Sequence, residues 1–399
     1  MNNNNRIELV DALRGFALIG IMLLHSIEHF DFYAQTDLNP EIFHKTDPHV
    51  SNILYLLFSG KAYSIFSVMF GFSFFVQMDR AENKGIDFRL RFFWRLVLLM
   101  VIGYLFSLIY IGQILIIYAL VGMPLILMYR INKKVLLILA VLFILQIPTI
   151  VNIINTYTNP EFRLQRNFGR GLWGEAFNTF ANGSFADVAR FNRWKAHIAV
   201  WSWTYYNGRY LQLFGLFLFG LILGKSRFFE EFNNYKKKTV VVFIISIITF
   251  IILYVISLKI QKLEIPRTRS GLYSTLIKSY TDLALSSSYI SLIIIIFQRA
   301  KNVNKSYLLA NYGRMSLTNY ILQPLFGIPL FYGYGFALYH YFGPTLSLFY
   351  GIIFLCFQLW YSRLWMKHFY YGPFEWLWRA LTFFNFNLKF KKKSPSKLY

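Results

Sequence analysis

Long apolar runs separated by short polar segments recur along the whole chain. A run of about 20 apolar residues is long enough to cross the hydrocarbon core of a membrane as a helix. The pattern predicts about ten such helices, at residues 7–27, 51–77, 89–110, 113–130, 134–153, 207–225, 240–258, 276–298, 308–331 and 344–366. The predicted fold is therefore an all-α, polytopic integral membrane protein.

The composition agrees with this pattern. Hydrophobic residues make up 56% of the chain, charged residues only 15%, and the mean hydropathy is +0.43. No ordinary soluble domain has this balance, so the lipid bilayer is the first expected partner. The formal net charge of +23 lies mostly in short segments between apolar runs. Membrane topology explains such charges, and no nucleic-acid partner is expected.

Basic residues predict the orientation of the chain in the membrane. They are concentrated in the links after every second helix and in the C-terminal tail, at Arg80, Lys84, Arg89, Lys133, Lys134, Lys225, Arg227, residues 236–238, Arg299, Lys301, Lys305, Arg379, Lys389 and residues 391–393. Basic links remain in the cytoplasm, so both termini are predicted to be cytoplasmic. The first apolar run has no small-residue cleavage pattern, and we expect it to stay as a span.

One transmembrane domain is expected over residues 1–399. Within it, residues 154–206 form a long extracytoplasmic loop that mixes tryptophans with charged residues. This composition is typical of an interfacial or re-entrant lid over an outer cavity. A packing loop without a substrate role is the alternative.

The first helix carries ionisable groups inside its apolar run, in the stretch "DALRGFALIGIMLLH". Arg14 and His25 are eleven residues apart, which places them within about 20° of each other and about 16 Å apart along the helix axis. Asp11 lies on the same face, and Glu28 continues it. Ionisable residues inside a span almost always face a bundle interior or a wet cavity. The spacing fits a buried ion pair with a separate histidine, a proton or ion path, or a catalytic base.

The single cysteine, Cys356, excludes an intramolecular disulfide and a multi-cysteine metal site. The histidines of the link after the first helix match no rigid metal signature, and we expect no metal cofactor.

Several stretches resemble a known family. "LVDALRGFALIGIMLLH" resembles the first-helix signature of membrane acyltransferases, a group that includes acyltransferase family 3 and heparan-alpha-glucosaminide N-acetyltransferase. "GKAYSIFSVMFGFSFF", "YGRMSLTNYILQPLF" and "YGPFEWLWRALTFF" resemble the bacterial YeiB-like family, including its C-terminal domain of unknown function. By this resemblance, residues 1–153 are the acyltransferase-like helices and residues 207–399 the YeiB-like C-terminal region.

The resemblance implies an activity. The wider group moves an acyl group from cytoplasmic acyl-CoA to an acceptor at the outer side, often a sugar. His25 would then be the base, Arg14 would orient the donor, and Asp11 would fix the rotamer of Arg14. The expected donor is acetyl-CoA, the expected acceptor an envelope glycan or small molecule, and the expected location a bacterial inner membrane. A transporter using the same polar stripe and a non-catalytic scaffold stay open, as does the oligomeric state.

One departure from the group favours the scaffold. Many relatives have a histidine near the third helix followed by Gly-Asp-Ile-Leu, whereas "GYLFSLIYIGQILIIYAL" has Phe106 and Gln113 at the corresponding places. Glutamine keeps hydrogen-bonding capacity but cannot act as a base.

Two further polar clusters are candidates for binding. Arg89, Arg91 and Arg95 are similar to an arginine cluster of family 3 acyltransferases that could neutralise the phosphates of coenzyme A; simple anchoring at the inner surface is the alternative. The ninth predicted helix, which we expect to face the first, and the start of the fourth contain polar residues that could line a tunnel, namely Arg314, Ser316, Asn319, Tyr320, Gln323 and Gln113. Polar contacts between helices would also account for them.

Overall fold

A computed structural model describes residues 7–33, 36–159, 161–164, 167–299 and 307–392. The lysines at 301, 305 and 393, which were used to predict the orientation, lie outside these ranges. Within them the chain forms α-helices, two short 3₁₀ helices at Phe232–Tyr235 and Leu338–His340, and an isolated antiparallel bridge between Phe369 and Lys391. The predicted all-α, multi-pass fold is confirmed.

The helices are numbered in chain order. The first nine are α1 Glu8–Ile27, α2 Glu41–His44, α3 Asp47–Phe58, α4 Lys61–Glu82, α5 Arg89–Ser107, α6 Leu115–Gly122, α7 Leu125–Met128, α8 Lys133–Ile144 and α9 Ile147–Thr158. The others are α10 Arg170–Asn182, α11 Phe185–Asn192, α12 Lys195–Tyr206, α13 Arg209–Lys225, α14 Lys236–Gln261, α15 Arg267–Arg299, α16 Tyr307–Arg314, α17 Ser316–Phe331, α18 Pro344–His368 and α19 Pro373–Phe383.

Fewer helices than predicted are long and apolar enough to cross a membrane unbroken. In the described ranges six candidates meet this test, at Glu8–Ile27, Asp47–Glu82, Arg89–Ser107, Phe232–Gln261, Arg267–Arg299 and Pro344–His368. A seventh arises if α8 and α9, which are bent by 44° relative to each other, form one span. The predicted helices at 113–130 and 308–331 are each divided in two, at Met123–Pro124 and at Met315, and α13 has only 17 residues. The count of ten stays a prediction.

α1 is the central helix of the bundle. Two thirds of its apolar window, 67%, is buried inside the protein, against 11% for the span containing α14. α16 packs closely on α1 because glycines face each other: a Cβ on Gly15 would overlap the carbonyl of Leu309, and one on Gly313 would overlap the carbonyl of Asp11. Small residues of this kind let membrane helices approach closely. The polar residues of α1 therefore face protein.

The long loop folds into the three helices α10, α11 and α12. Phe180 of α10 is fully buried, stacks on Tyr332 at 4.7 Å between ring centroids, and meets Phe32 edge-on at 6.0 Å. Ser184 and Asp187 form a capping box that starts α11. Trp173 and other residues of these helices line the cavity described below. The loop therefore covers that cavity as a packed layer of helices.

Candidate functional site

A cavity of about 1590 Å³ runs along α1. Asp11, Arg14, His25 and Glu28 all line it, so the ionisable face of α1 borders one continuous space. In the predicted orientation, Arg14 marks the inner end of the cavity and His25 marks its outer end. The arrangement places a cation and an imidazole on one wall, as the helical spacing predicts.

Arginines from five helices surround the inner end. They are Arg14 of α1, Arg80 of α4, Arg95 of α5, Arg314 of α16 and Arg379 of α19, joined by Lys389. Asp11 accepts a hydrogen bond from Arg14 at 3.1 Å, and Ser73 accepts another. So many cations around one space make the inner end a candidate site for an anion, because guanidinium groups bind phosphates through paired hydrogen bonds.

The last helix holds two arginines of this cluster in place. The guanidinium of Arg95 lies 3.7 Å from the ring centroid of Trp378, while the indole N–H of Trp378 donates to the carbonyl of Arg95 at 2.9 Å. Arg379, the next residue, has a buried Nε with no hydrogen-bond partner in the described ranges. A buried donor left unpaired beside a cavity is costly unless a ligand accepts from it.

Of the arginine cluster predicted at the start of α5, only Arg95 borders the cavity. Arg89 pairs with Asp87 at 2.6 Å, and both side chains are about half exposed. Arg91 is exposed as well and lies near the ring of Phe383, outside the cavity lining. On the helix Arg89 points about 120° away from Arg95, whereas Arg91 points within about 40° of Arg95 but lies one turn nearer the start of α5.

At the outer end, His25 belongs to a hydrogen-bonded chain. Its Nε2 lies 3.0 Å from the hydroxyl of Tyr110, and that hydroxyl donates to Asp31. Tyr110 has one proton to give and Asp31, as a carboxylate, can only accept. The hydroxyl of Tyr110 must therefore accept from His25, which puts the imidazole proton on Nε2.

This tautomer leaves Nδ1 of His25 with a free lone pair. Nδ1 is buried and has no hydrogen-bond partner among the residues that the structure describes, and His25 lines the cavity. A proton taken up by Nδ1 would make the imidazole cationic, and the negative charge of Asp31, one hydroxyl away, would stabilise that cation. The chain has the parts of a general base and its orienting partner.

An unusual turn brings Asp31 back to α1. His29, Phe30 and Asp31 all have left-handed backbones, with φ of 48°, 60° and 62°. Such backbones are unfavourable for residues with a Cβ and persist only where the surroundings hold them. Here Nε2 of His29 lies 2.9 Å from the carbonyl of Phe342, and the hydroxyl of Tyr332 donates to the carbonyl of Phe30 at 3.1 Å.

Glu28 gives the outer end a second carboxyl group. Burial, and after it the charge of Asp31, raises the pKa of Glu28 to about 8, although hydrogen bonds from Tyr55 and Tyr33 partly oppose this shift. Near neutral pH, Glu28 is therefore mostly protonated.

We expect Gly112→Ala to disconnect His25 from Asp31. A Cβ at position 112 would overlap the Asp31 carboxylate and crowd the hydroxyl of Tyr110. If Asp31 helps His25 to act as a general base, the rate of the catalysed reaction should fall at least about tenfold, since a general base typically accelerates a reaction 10²–10⁴-fold. Gly171→Ala is the matched control, because no atom lies within 4 Å of the added methyl group. Equal turnover in both variants, measured at equal thermal stability, would contradict a role for the chain of hydrogen bonds.

The polar residues predicted to line a tunnel are divided by the structure. Gln113, Arg314, Ser316 and Tyr320 do border the cavity. Asn319 and Gln323 do not, and the tunnel prediction is wrong for these two residues.

The two excluded residues face α18. Both are fully buried. Asn319 donates to Ser362 at 2.9 Å, and Gln323 donates to the hydroxyl of Tyr312 at 3.3 Å. Gln358 of α18 donates to the carbonyl of Asn319 at 2.9 Å. They are polar contacts between helices, the alternative that the sequence left open.

The departures at Phe106 and Gln113 lie close to the outer end. Phe106 is buried and its ring packs near Tyr110 and Tyr320, at centroid distances of 5.8 and 5.9 Å. Gln113 accepts a hydrogen bond from the backbone of Ile116 at 3.3 Å and so caps the start of α6. Phe106 provides no acid or base, and the polar group beside His25 is Tyr110 instead.

The chain is similar to uncharacterised proteins of bacteria. A family model described as "Protein of unknown function (DUF418)" matches residues 223–385. YxaH of Bacillus subtilis (strain 168) is 29% identical, over 98% of this chain and 97% of its own length. YeiB of Escherichia coli (strain K12) is 26% identical over 94% of this chain and 95% of its own length. A 39.9 kDa protein from the amylase 3′ region of Bacillus acidopullulyticus is 26% identical, over 95% and 94%.

These matches support the predicted resemblance of the chain to the YeiB-like family. The DUF418 segment lies within the predicted C-terminal region and contains Arg314, Tyr320, Trp378 and Arg379 of the cavity wall. No solved structure gives a significant match. The three relatives are named as uncharacterised proteins, so similarity to acyltransferases stays a prediction.

Proposed function

We propose that the protein is a membrane acyltransferase that moves an acyl group, with acetyl as the first candidate, from cytoplasmic acyl-CoA to an acceptor in the cell envelope. The observation that carries the proposal is the cavity joining an arginine-rich inner end to the free Nδ1 of His25. The inner end suits the phosphates of coenzyme A, and the outer end suits deprotonation of an acceptor.

The two ends of the cavity have different tasks in the proposed reaction. Arg95, Arg379 and Arg314 would bind the phosphates, and Arg14, held by Asp11, would orient the donor farther along the cavity. Nδ1 of His25 would take the proton from the acceptor hydroxyl as its oxygen attacks the thioester carbonyl. The C–S bond then breaks, and the thiolate of coenzyme A receives that proton from His25. No metal enters this scheme.

The proposed location of the protein is the bacterial cytoplasmic membrane. The relatives reported above come from bacteria, and acyl-CoA is a cytoplasmic donor, which matches an arginine-rich inner end. The envelope acceptor, a glycan or a small molecule, would reach His25 through the layer formed by α10, α11 and α12.

Labelled acetyl-CoA tests the proposal on the purified full-length protein. We expect saturable binding of acetyl-CoA and slow release of labelled acetate, since water can replace a missing acceptor at His25. Both signals should compete with unlabelled coenzyme A. Absence of donor binding by the wild-type protein would contradict the proposal.

A proton pathway is the second candidate, and one observation favours it. Glu28, Asp31 and His25 form a continuous series of titratable groups at one end of the cavity, as in proton relays of membrane proteins. In proteoliposomes, proton flux that depends on His25 and proceeds without coenzyme A would favour this candidate over the enzyme.

A further inference from the structure

The outer end of the cavity contains a cation that the proposed reaction does not use. Arg209 is the first residue of α13 and follows Gly208, whose φ of 63° is left-handed. Its guanidinium lies near two aromatic rings, 4.4 Å from the centroid of Trp203 and 5.5 Å from that of Tyr63. Tyr63 also donates to the carbonyl of Arg209 at 3.0 Å. These contacts fix the side chain at the cavity wall.

Arg209 has no anionic partner in the described ranges. Its guanidinium makes no ion pair and no side-chain hydrogen bond there, in contrast to Arg14, which is paired with Asp11. The charge of Arg209 lowers the pKa of Glu28, but burial raises it more strongly, and the resulting pKa is about 8. Arg209 lines the cavity, and the planar fork of N–H groups of a guanidinium can bind a two-pronged oxyanion.

The neighbouring wall adds positive charge. Asp282 of α15 is the partner of two lysines, at 2.6 Å to Lys61 and 3.1 Å to Lys278. One carboxylate cannot neutralise two ammonium groups, and Lys278 is half exposed and borders the cavity. The start of α13 contributes the positive end of a helix as well.

The outer end therefore has two walls of opposite character. The wall formed by α1 and the turn after it carries His25, Glu28 and Asp31, whereas the wall formed by α13 and α15 carries Arg209 and Lys278. An acceptor that fills this space would place its reacting group at the first wall and meet cations at the second.

We propose that the acceptor bears a phosphate or carboxylate group, which Arg209 binds while the acceptor hydroxyl or amine lies at Nδ1 of His25. This inference rests on the proposed acyl transfer. It makes Arg209 the residue that selects anionic acceptors over neutral ones, and it assigns the aromatic faces of Trp203 and Tyr63 the task of holding the guanidinium.

Three probes with one carbon skeleton test the inference: glycerol 3-phosphate, glycerate and glycerol. Binding to the detergent-solubilised full-length protein is measured by titration calorimetry without an acyl donor. We expect at least one anion to bind about tenfold or more tightly than glycerol, the equivalent of about 1.4 kcal/mol. The better anion distinguishes phosphate from carboxylate. Equal affinity for all three probes, or no binding of either anion, overturns the inference.

Substitutions of Arg209 test whether this residue causes the preference for anionic probes. Arg209→Gln should abolish the preference for the anion, and Arg209→Lys should keep only part of it, because an ammonium group lacks the planar fork. Arg193→Gln removes an exposed arginine of the outer layer that does not line the cavity, and it should bind the probes as the wild type does. An unchanged preference in Arg209→Gln overturns the assignment. If that variant fails to fold, an unchanged preference in Arg209→Lys does so.

The two proposals fail separately. Acetate release from labelled acetyl-CoA without any acceptor reports on acyl transfer alone. A wild-type protein that hydrolyses the donor but shows no preference for the anionic probes overturns only the acceptor inference. An Arg209-dependent anion preference in a protein that neither binds nor hydrolyses acetyl-CoA overturns only the acyl transfer, and the anion site remains.

Discussion

Turnover is expected to fall by about 10²–10⁴-fold when His25 is replaced by glutamine, the usual contribution of a general base. Glutamine is close in size and can still donate to the hydroxyl of Tyr110, which lies 3.0 Å from Nε2 in the wild type. It cannot take up a proton. The measurement is acetyl transfer or acetate release at saturating acetyl-CoA, with donor affinity measured on the same preparation.

Donor affinity should be unchanged in His25→Gln, because the coenzyme A phosphates are placed at the other end of the cavity. The control is His44→Gln, since His44 is exposed and does not line the cavity. A wild-type rate of turnover in His25→Gln would show that His25 is not the general base. A parallel loss in His44→Gln would show that the assay responds to general damage.

Donor affinity is expected to fall about 10- to 100-fold in Arg379→Gln, because a hydrogen bond to a charged group contributes about 1.5–3 kcal/mol. Arg379 borders the inner end and has a buried Nε that lacks a partner in the described part of the chain. The wild-type affinity should also decrease with added salt, which screens the charges of the phosphates and arginines.

Arg91→Gln is the matched comparison for Arg379→Gln. It removes the same charge from the same end of the protein, but Arg91 is exposed and outside the cavity lining. We expect its effect on donor affinity to be at most about twofold, as for a screened surface charge. A larger loss of donor affinity in Arg91→Gln than in Arg379→Gln would indicate that the phosphates bind at the protein surface, beside the arginines at the start of α5.

Helical periodicity was sufficient to predict the ionisable wall of α1. Asp11, Arg14 and His25 belong to one regular helix, so their relative directions follow from their spacing. The cost of placing ionisable groups inside a span then implies a polar surrounding. The structure adds the cavity that these residues share.

The partners of His25 could not be predicted in the same way. Asp31 reaches Tyr110 only because three consecutive residues adopt left-handed backbones, and no local pattern indicates such a turn. Tyr110 lies beyond the end of α5, where helical spacing no longer determines direction. The link after α1 is rich in acidic residues, including Asp31, but this composition does not indicate which side chain Asp31 meets.

Arg379 was missed as a binding residue for a related reason. It was counted as a cytoplasmic charge of the C-terminal tail, whereas α19 packs against α5 and turns this arginine toward the cavity. Asn319 shows the converse error, because a polar residue beside a predicted tunnel turned out to face α18. Both depend on how helices distant in sequence pack together.

The most direct test of the account is a cryo-EM structure of the full-length protein with a non-hydrolysable acetyl-CoA analogue. The account predicts that the analogue lies in the cavity along α1, with its phosphates at Arg95 and Arg379 and its acyl group within hydrogen-bonding distance of Nδ1 of His25. An analogue bound at the protein surface, or one that leaves the space between Arg14 and His25 empty, would contradict it.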